Sequence, residues 1–194
     1  MKLSWMKRLP CDQLKPHQWR RWHVLEHELH QIVACTHQTP SILELGVRDG
    51  KVPQHLMKRI HGLTYWGIDA WTDYQSELAR GDHDWAYARD KMDRNREQAE
   101  SVVRGWPRQT RLIEGLTQDV HATITRRFDV VWIDADHSYD AVARDIDLYR
   151  DKVRRGGIVC GHDYDWPEVH RAVHERYNNV ESHADDVWLV RTKQ

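Results

Sequence analysis

Acids and histidines follow two apolar stretches of the sequence, at the point where each stretch ends. Asp134 and, three residues later, His137 follow the stretch FDVVWI, and His162 and Asp163 follow GIVCG. Short apolar runs bounded by turn residues are typical of buried strands, and ligands of open α/β sheets bind beyond the carboxyl ends of such strands. Carboxylates bind divalent cations, and imidazole takes up a proton near neutral pH. The spacing therefore predicts one pocket that holds a cation and a base.

A glycine turn follows an earlier apolar stretch and reads ELGVRDG from Glu44 to Gly50. Gly46 and Gly50 allow the backbone to turn tightly and approach a ligand ahead of a helix. Arg48 stands where the dinucleotide fingerprint has its second glycine, which disfavours a pyrophosphate cradle. Asp69 follows at roughly the 20-residue spacing at which an acid accepts hydrogen bonds from ribose hydroxyls. Glycine turn and acid together predict a nucleoside beside the cation pocket.

Strands alternate with helices along the chain and end in a pair of strands. This order predicts an α/β fold with a doubly wound, mostly parallel sheet and an antiparallel strand at the end. The loop after the third strand should lie beside the same crevice, where Thr117 or Gln118 could read an adenine edge or cap a helix. The predicted helices are 17–34, 51–60, 82–104, 118–125, 139–153 and 168–177, and the predicted strands are 41–46, 63–68, 111–114, 129–133, 158–161, 180–183 and 186–191.

Composition limits the classes of function. The 194 residues suffice for one domain, and a formal net charge of −1 gives no basic field for nucleic acid. No apolar stretch approaches the roughly 18 to 20 residues that span a bilayer, and residues 1–10 lack the apolar core of a signal peptide. Three cysteines without CxxC spacing fit a reducing compartment. We expect a cytoplasmic protein, with arginine pairs such as Arg20-Arg21 on solvated helix faces or loop ends.

Taken together, these motifs resemble the class I S-adenosylmethionine-dependent methyltransferases, and within them the metal-dependent small-molecule O-methyltransferases related to catechol and macrocin O-methyltransferases. The most specific stretch, FDVVWIDADHSYDAVARDIDLYRDKVRRGGIVCGHDY, is similar to the family pattern of strand, D-x-x-H-x-Y, helix, G-G, strand and H-D-Y or D-D-Y. The resemblance covers about 41–188. It implies a seven-stranded Rossmann-like methyltransferase domain at 41–194, preceded by an N-terminal helical extension at 1–40.

The resemblance also implies roles for individual residues. This chain differs from the usual family pattern at His162-Asp163, where relatives often carry Asp-Asp or Asp-Asn. Oxygen ligands favour Mg²⁺, Ca²⁺ or Mn²⁺, and an added imidazole shifts the preference towards Mn²⁺, Fe²⁺ or Zn²⁺, so we expect Mg²⁺ or Mn²⁺. The implied roles are these: Glu44, Gly46 and Gly50 beside the methionine part of the cofactor, Asp69 on its ribose, Thr117 and Gln118 flanking adenine, Asp134 beside the cofactor and as first metal ligand, His162 and Asp163 as further ligands, and His137 as catalytic base.

The implied activity is transfer of a methyl group to a hydroxyl of a small molecule or sugar, with a divalent cation assisting. Trp71 and Tyr164 each follow a proposed site residue and are the preferred acceptor contacts, with Trp166 among further aromatic candidates. Two alternatives are a cofactor-binding module without catalysis, acting as scaffold or regulatory partner, and a nucleotide-dependent oxidoreductase, against which Arg48 argues. We expect no nucleic-acid partner and no membrane. The apolar stripe of the first helix, with Trp19, Trp22 and Leu29, could form a homo-oligomer interface or cover the sheet.

Overall fold

The computed structural model describes residue 15, residues 18–72 and residues 85–193, with the backbone alone for 85–88. In chain order, the helices and strands of these residues are α1 (Arg21–Thr36), β1 (Ser41–Leu45), α2 (Lys51–Leu56), β2 (Thr64–Asp69), α3 (Trp85–Val103), β3 (Thr110–Glu114), α4 (Thr117–Val120), β4 (Phe128–Ile133), α5 (Tyr139–Tyr149), β5 (Val153–Gly161), α6 (Pro167–His174), β6 (Glu181–His183) and β7 (Val187–Arg191). Within the described residues, the 3₁₀ turns His121–Thr123 and Arg150–Lys152 follow α4 and α5.

The strands form one seven-stranded sheet in the order β3-β2-β1-β4-β5-β7-β6. Strands β1 to β5 are parallel, and β7 pairs antiparallel with both β5 and β6. Strands β2 and β3 are added on one side of β1, and strands β4 and β5 on the other. The boundary between β1 and β4 is therefore the switch point at which open α/β sheets bind ligands. The predicted fold class is confirmed. The predicted helix starts at His17 and Asp82, and residues 1–14 of the predicted extension, lie outside the described residues.

Both faces of the sheet are covered, as the continuous apolar strands require. One face packs Leu43, Val131 and Val159 against α5 and α6. The other face packs Ile42, Trp132 and neighbours against α1 and α2. Two separate helical layers therefore hold the central strands rigid, and with them the loops at their carboxyl ends.

Helix α1 covers the sheet with the apolar stripe found in the sequence. Leu25 and Leu29 are fully buried against Ile42 and Trp132, with Trp19 packed at the margin. The stripe thus packs on the sheet of the same chain. This packing places the amino end of α1 beside the central strands. No helix among residues 18–72 and 85–193 is long and apolar enough to cross a membrane.

The predicted boundaries differ most around β5. The helix predicted to reach Val153 ends at Tyr149, and β5 runs from Val153 through both glycines, well before the predicted start at Ile158. Gly157 allows this, because a Cβ there would lie 2.5 Å from the carbonyl oxygen of Asp129 on β4. The sequence pattern places Gly156 and Gly157 between helix and strand, whereas in the structure both belong to β5 and Gly157 permits close approach of two strands.

Candidate active site

The site lies where β1, β4 and β5 end side by side. Ile133 of β4 is in register with Leu45 of β1 and with Gly161 of β5. The next residues along each strand, Asp134 and His162 among them, therefore begin their loops at the same edge of the sheet. Strand register alone brings these segments together.

Four predicted residues form one cluster at this edge, which we call the acid–histidine cluster: Asp134, His137, His162 and Asp163. His137 Nε2 lies 2.7 Å from Asp163 Oδ2, and His162 Nδ1 lies 3.1 Å from the same oxygen. Asp134 Oδ1 lies 3.9 Å from His137 Nε2 and 3.8 Å from His162 Nδ1. Two carboxylates thus face two imidazoles, and the four residues lie together at one edge of the sheet.

These contacts shift the pKa values of the cluster. Burial lowers the pKa of His137, but the carboxylates of Asp134 and Asp163 outweigh it and raise that pKa to about 9. Burial tends to raise the pKa of Asp163, yet its contacts with His137 and His162 hold it well below the usual range. For His162, burial lowers the pKa, Asp163 and Asp134 raise it by more, and Arg21 opposes them. Without a bound cation, His137 is therefore protonated at neutral pH.

Arg21 belongs to this site, although its arginine pair was interpreted as solvated. Its Nε lies 3.4 Å from Asp134 Oδ2. Its backbone N–H donates to Asp185 Oδ2 at 2.9 Å, and Asp185 stands in the turn between β6 and β7. The amino end of α1 and the last hairpin therefore complete the acid–histidine cluster, whose residues the sequence assigned to the ends of β4 and β5.

The donor set of the cluster fits a divalent cation. Asp134, His162 and Asp163 each offer one ligand atom, and these atoms lie within 4.8 Å of one another. All three residues are half-buried. A donor set of two carboxylate oxygens and one imidazole suits Mn²⁺ or Mg²⁺ better than it suits a soft metal ion. The predicted ligand set can hold a cation in chemical terms, and it includes His162.

The glycine turn after β1 brings the backbone against this cluster. Gly46 has φ +89°, and a Cβ at this position would lie 2.1 Å from the carbonyl oxygen of Asp134. Gly50 has φ +77° and precedes the first residue of α2. Arg48, between them, also has a positive φ of 53° despite its side chain. The turn needs left-handed backbone at three alternate positions, of which two are glycine.

Asp69 holds this turn through the backbone. Its Oδ2 accepts the N–H of Arg48 at 2.7 Å, and its Oδ1 accepts the N–H of Trp71 at 2.7 Å. Burial raises the pKa of Asp69, and the hydrogen bonds from Arg48 and Trp71 oppose that rise. The backbone N–H groups of Val47 and Ala70 also lower this pKa, so the glycine turn surrounds the carboxylate with backbone donors.

Glu44 is fully buried at the end of β1, where it accepts a hydrogen bond from the Tyr65 hydroxyl. Burial raises its pKa well above the usual range, the Tyr65 hydrogen bond opposes this, and the charge of Asp134 adds to it. Glu44 therefore lies beneath Asp134 as a buried carboxyl group held by Tyr65.

A cavity of about 370 Å³ opens above these residues. Such a volume is within the usual range for small-molecule sites. It contains most of the predicted site residues together with Arg21, Arg48 and Trp166. The predicted residues that line it are Glu44, Gly46, Asp69, Trp71, Asp134, His137, His162 and Asp163.

Four predicted residues are not among those that line this cavity: Gly50, Thr117, Gln118 and Tyr164. The Thr117 hydroxyl donates to Asp145 Oδ1 at 2.6 Å, so it faces α5. The Tyr164 hydroxyl lies 2.6 Å from His174 Nε2 on α6. Trp166 is the aromatic residue that returns to the site, with its ring centroid 5.0 Å from that of His137. The cofactor and acceptor roles of the four residues stay predictions.

The glycine turn, the ribose-type acid and the acid–histidine cluster share one cavity on a sheet of order 3-2-1-4-5-7-6. The family model for the methyltransferase domain matches residues 43–164, more than half of the chain. The chain belongs to the methyltransferase domain family. The resemblance to the S-adenosylmethionine-dependent methyltransferases is thus confirmed. Membership in this family excludes the alternative of a nucleotide-dependent oxidoreductase.

Several solved O-methyltransferases share the fold of this methyltransferase. It is similar to the O-methyltransferase NovP with a TM-score of 0.64 and 17% identity, over 90% of this chain and 80% of NovP. TomG from Streptomyces achromogenes, an O-methyltransferase of tomaymycin synthesis solved with SAM, gives 0.55 and 17% over 89% and 81%. CalS11, a TDP-rhamnose 3′-O-methyltransferase, gives 0.55 and 16% over 87% and 77%. No curated protein gives a significant match. At these identities the likeness establishes the fold.

Proposed function

We propose that this methyltransferase transfers the methyl group of S-adenosylmethionine to a hydroxyl of a small molecule or sugar, assisted by a divalent cation. The observation that carries the proposal is the acid–histidine cluster, which faces the same cavity as the glycine turn and Asp69. A methyl donor and a hydroxyl acceptor need adjoining sites, and this cavity has two chemically different ends. The cofactor end comprises Glu44, Gly46 and Asp69, and the acceptor end comprises the acid–histidine cluster. CalS11, a neighbour in fold, is a TDP-rhamnose 3′-O-methyltransferase, which supports a sugar hydroxyl as the proposed acceptor class.

The cofactor end of the cavity is suited to bind and orient a nucleoside. Gly46 lets the turn after β1 lie directly against the backbone of Asp134, and both Gly46 and Asp69 line the cavity, where we assign Asp69 to the ribose hydroxyls. Backbone N–H donors hold Asp69 in place before any ligand arrives. Preorganisation of this kind reduces the entropy lost when the donor and acceptor are aligned for in-line attack.

At the acceptor end, a hydroxyl must lose its proton as its oxygen attacks the methyl carbon and the carbon–sulfur bond breaks. A divalent cation held by Asp134, His162 and Asp163 would lower the pKa of that hydroxyl and orient it. His137 is the residue placed to take the proton. A cation held by Asp134 and Asp163 would offset the carboxylate charges that favour a protonated His137 ring, and the neutral ring could then act as a base.

Trp166 is a better placed acceptor contact than Tyr164. It lines the cavity beside His137, and 38% of its surface is exposed. An exposed aromatic face beside polar groups suits stacking on a sugar or an aromatic ring. Trp71 also lines the cavity but is 8% exposed, with its Nε1 donating to the Arg48 carbonyl oxygen. We therefore assign Trp166 to the acceptor and Trp71 to the wall of the cofactor end.

Calorimetric titration with S-adenosylhomocysteine, with and without Mn²⁺ or Mg²⁺, tests the proposal on the wild type and on Asp134→Ala. We expect the wild type to bind S-adenosylhomocysteine and the cation, and Asp134→Ala to lose the cation. Asp140→Ala, an exposed acid of α5, is the matched control and should behave as the wild type. Failure of the wild type to bind S-adenosylhomocysteine under any condition would refute the proposal.

The role of His137 is tested separately with an acceptor found by screening sugars and catechol-like compounds. His137→Ala should keep its affinity for S-adenosylhomocysteine and lose about 10²-fold or more in turnover, the usual contribution of a general base. Turnover equal to that of the wild type would remove His137 as the base.

A further inference from the structure

Arg21 touches two of the three residues whose atoms fit a cation. Its Nε lies 3.4 Å from Asp134 Oδ2, and its Nη1 lies 3.2 Å from His162 Nε2. The side chain is 24% exposed, so water screens these contacts only in part. A guanidinium group thus stands where a cation bound to Asp134 and His162 would be its direct neighbour.

The position of Arg21 is fixed by the fold. Its backbone N–H is held by Asp185, whose other carboxylate oxygen lies 3.1 Å from Arg20 Nη1. Leu25 and Leu29 fasten the rest of α1 to the sheet. The guanidinium therefore lies at the cluster because of how α1 packs, and its backbone cannot withdraw without loss of contacts.

A fixed positive charge at this distance opposes the binding of a divalent cation. It neutralises part of the carboxylate charge that attracts the ion, and it repels the ion directly. At the effective dielectric of a partly buried site, charges a few ångströms apart interact strongly enough to change the affinity for a cation by about tenfold or more. Hydration and side-chain movement reduce this effect without abolishing it.

We propose that Arg21 is the resident counter-cation of the acid–histidine cluster and determines its affinity for divalent cations. A cation binds Asp134 by displacing the guanidinium, so that helix α1 sets the concentration at which the site fills. The inference rests on the cation role in the proposed function and adds the residue that regulates it. The predicted N-terminal extension would then be part of the active site as well as a cover for the sheet.

Titration of the metal-free protein with Mn²⁺, followed by the electron paramagnetic resonance signal of free Mn²⁺, tests this inference without cofactor, acceptor or turnover. Arg21→Met keeps the aliphatic stem and removes the charge, and we expect it to bind Mn²⁺ about tenfold more tightly than the wild type or better. Arg21→Lys keeps the charge and should stay within about threefold of the wild type.

Arg20→Met is the matched control, because Arg20 is the same residue type and has a 65% exposed side chain. The Arg20 side chain pairs with Asp185, the residue that accepts the backbone N–H of Arg21. Arg20→Met should leave Mn²⁺ affinity within about twofold of the wild type. Arg21→Gln provides a second neutral variant, in case Arg21→Met fails to fold as judged by circular dichroism. It should show the same gain in affinity.

Unchanged or weaker Mn²⁺ binding in a folded neutral variant would overturn the inference. So would a complete lack of Mn²⁺ binding in the wild type and every variant, because displacement requires a cation site. Titration of the same samples with S-adenosylhomocysteine separates these failures from failure of the proposed methyl-transfer function. Cofactor binding without any Mn²⁺ binding would leave a methyltransferase in which Arg21 has no such role.

Discussion

The two ends of the cavity hold their carboxylates in different ways. At the acceptor end, Asp134 and Asp163 face the side chains of Arg21, His137 and His162. At the cofactor end, Asp69 accepts two backbone N–H groups, and Glu44 accepts the hydroxyl of Tyr65. The acceptor end is thus built from exchangeable charges, and the cofactor end from fixed donors.

This difference between the two ends predicts different responses to protons and divalent ions in solution. Side-chain cations can be displaced by metal ions or lose their protons, whereas a backbone N–H does neither. The cofactor end should therefore be preformed and insensitive to divalent ions. The acceptor end should change with divalent ions and with the protonation of His137, which suits the part of an active site that must move a proton.

The largest effect is expected where the two ends meet, at Gly46. In Gly46→Ala the new Cβ would lie 2.1 Å from the Asp134 carbonyl oxygen, at a φ of +89° that alanine rarely adopts. Relief requires movement of both loops, and we expect a loss of about 3 kcal/mol or more in the free energy of unfolding, measured with urea.

Gly105→Ala is the control for this measurement, because a Cβ there would meet only the Val102 carbonyl oxygen at an ordinary 3.5 Å. Its unfolding free energy should change by less than about 1 kcal/mol. Similar losses in the two variants would mean that the contact between the glycine turn and the β4 loop is unimportant for stability.

The next effect separates the two ends by their ligands. Asp69→Asn should weaken S-adenosylhomocysteine binding about tenfold, because the ribose hydroxyls lose a charged acceptor, and should leave Mn²⁺ binding unchanged. Asp163→Asn should do the reverse, and asparagine tolerates the positive φ of 54° at that position. Calorimetry and titration with Mn²⁺ measure both affinities. Equal losses of both ligands in both variants would show that the ends are not separate.

The smallest effect is the dependence of stability on pH in the metal-free protein. The pKa of His137 is about 9 in the folded state and about 6.5 when unfolded. Its stabilising contribution is therefore complete below about pH 6.5 and is lost as the pH rises to about 9. With EDTA present, the midpoint of thermal unfolding should fall by a few degrees across this interval, and less in His137→Gln.

His61→Gln, at an exposed position, is the control and should keep the wild-type fall. A wild-type midpoint that is constant or rises between pH 6.5 and 9 would contradict the charge pairing of His137 with Asp163 and Asp134.

The sequence predicted the residues of the acid–histidine cluster because two simple rules locate them. Apolar runs mark β4 and β5, and the carboxyl ends of adjacent parallel strands lie at one edge. The same reasoning placed Asp69 and the glycine turn. These residues need only strand order and register, which local periodicity and the resemblance supply.

Arg21 could not be found in this way. Its contact with Asp134 depends on the direction in which α1 crosses the sheet and on Asp185 in the last turn, and neither follows from local pattern. Two adjacent arginines at the start of a helix are usually solvated. The signal that was available is indirect: Trp22, Leu25 and Leu29 mark a helix that must pack on the sheet, with its amino end near the strands.

Tyr164 shows a second limit, since adjacency to a site residue does not place a side chain in the site. The chain turns at Asp163 with φ +54°, after which Tyr164 packs towards His174 and Trp166 returns to His137. A single left-handed residue changed the direction of the loop. Asp163 carries no glycine-like signal in the sequence that would have revealed this.

The most direct test of the account is whether a bound cation and the cofactor's methyl group share the cavity. S-adenosylmethionine labelled with ¹³C at the methyl group would be observed by NMR in the presence of the protein, with Mn²⁺ or with diamagnetic Mg²⁺. We predict strong paramagnetic broadening of the methyl signal with Mn²⁺, none with Mg²⁺, and loss of the broadening in Asp163→Asn. A methyl signal of bound cofactor that Mn²⁺ leaves sharp would contradict the account.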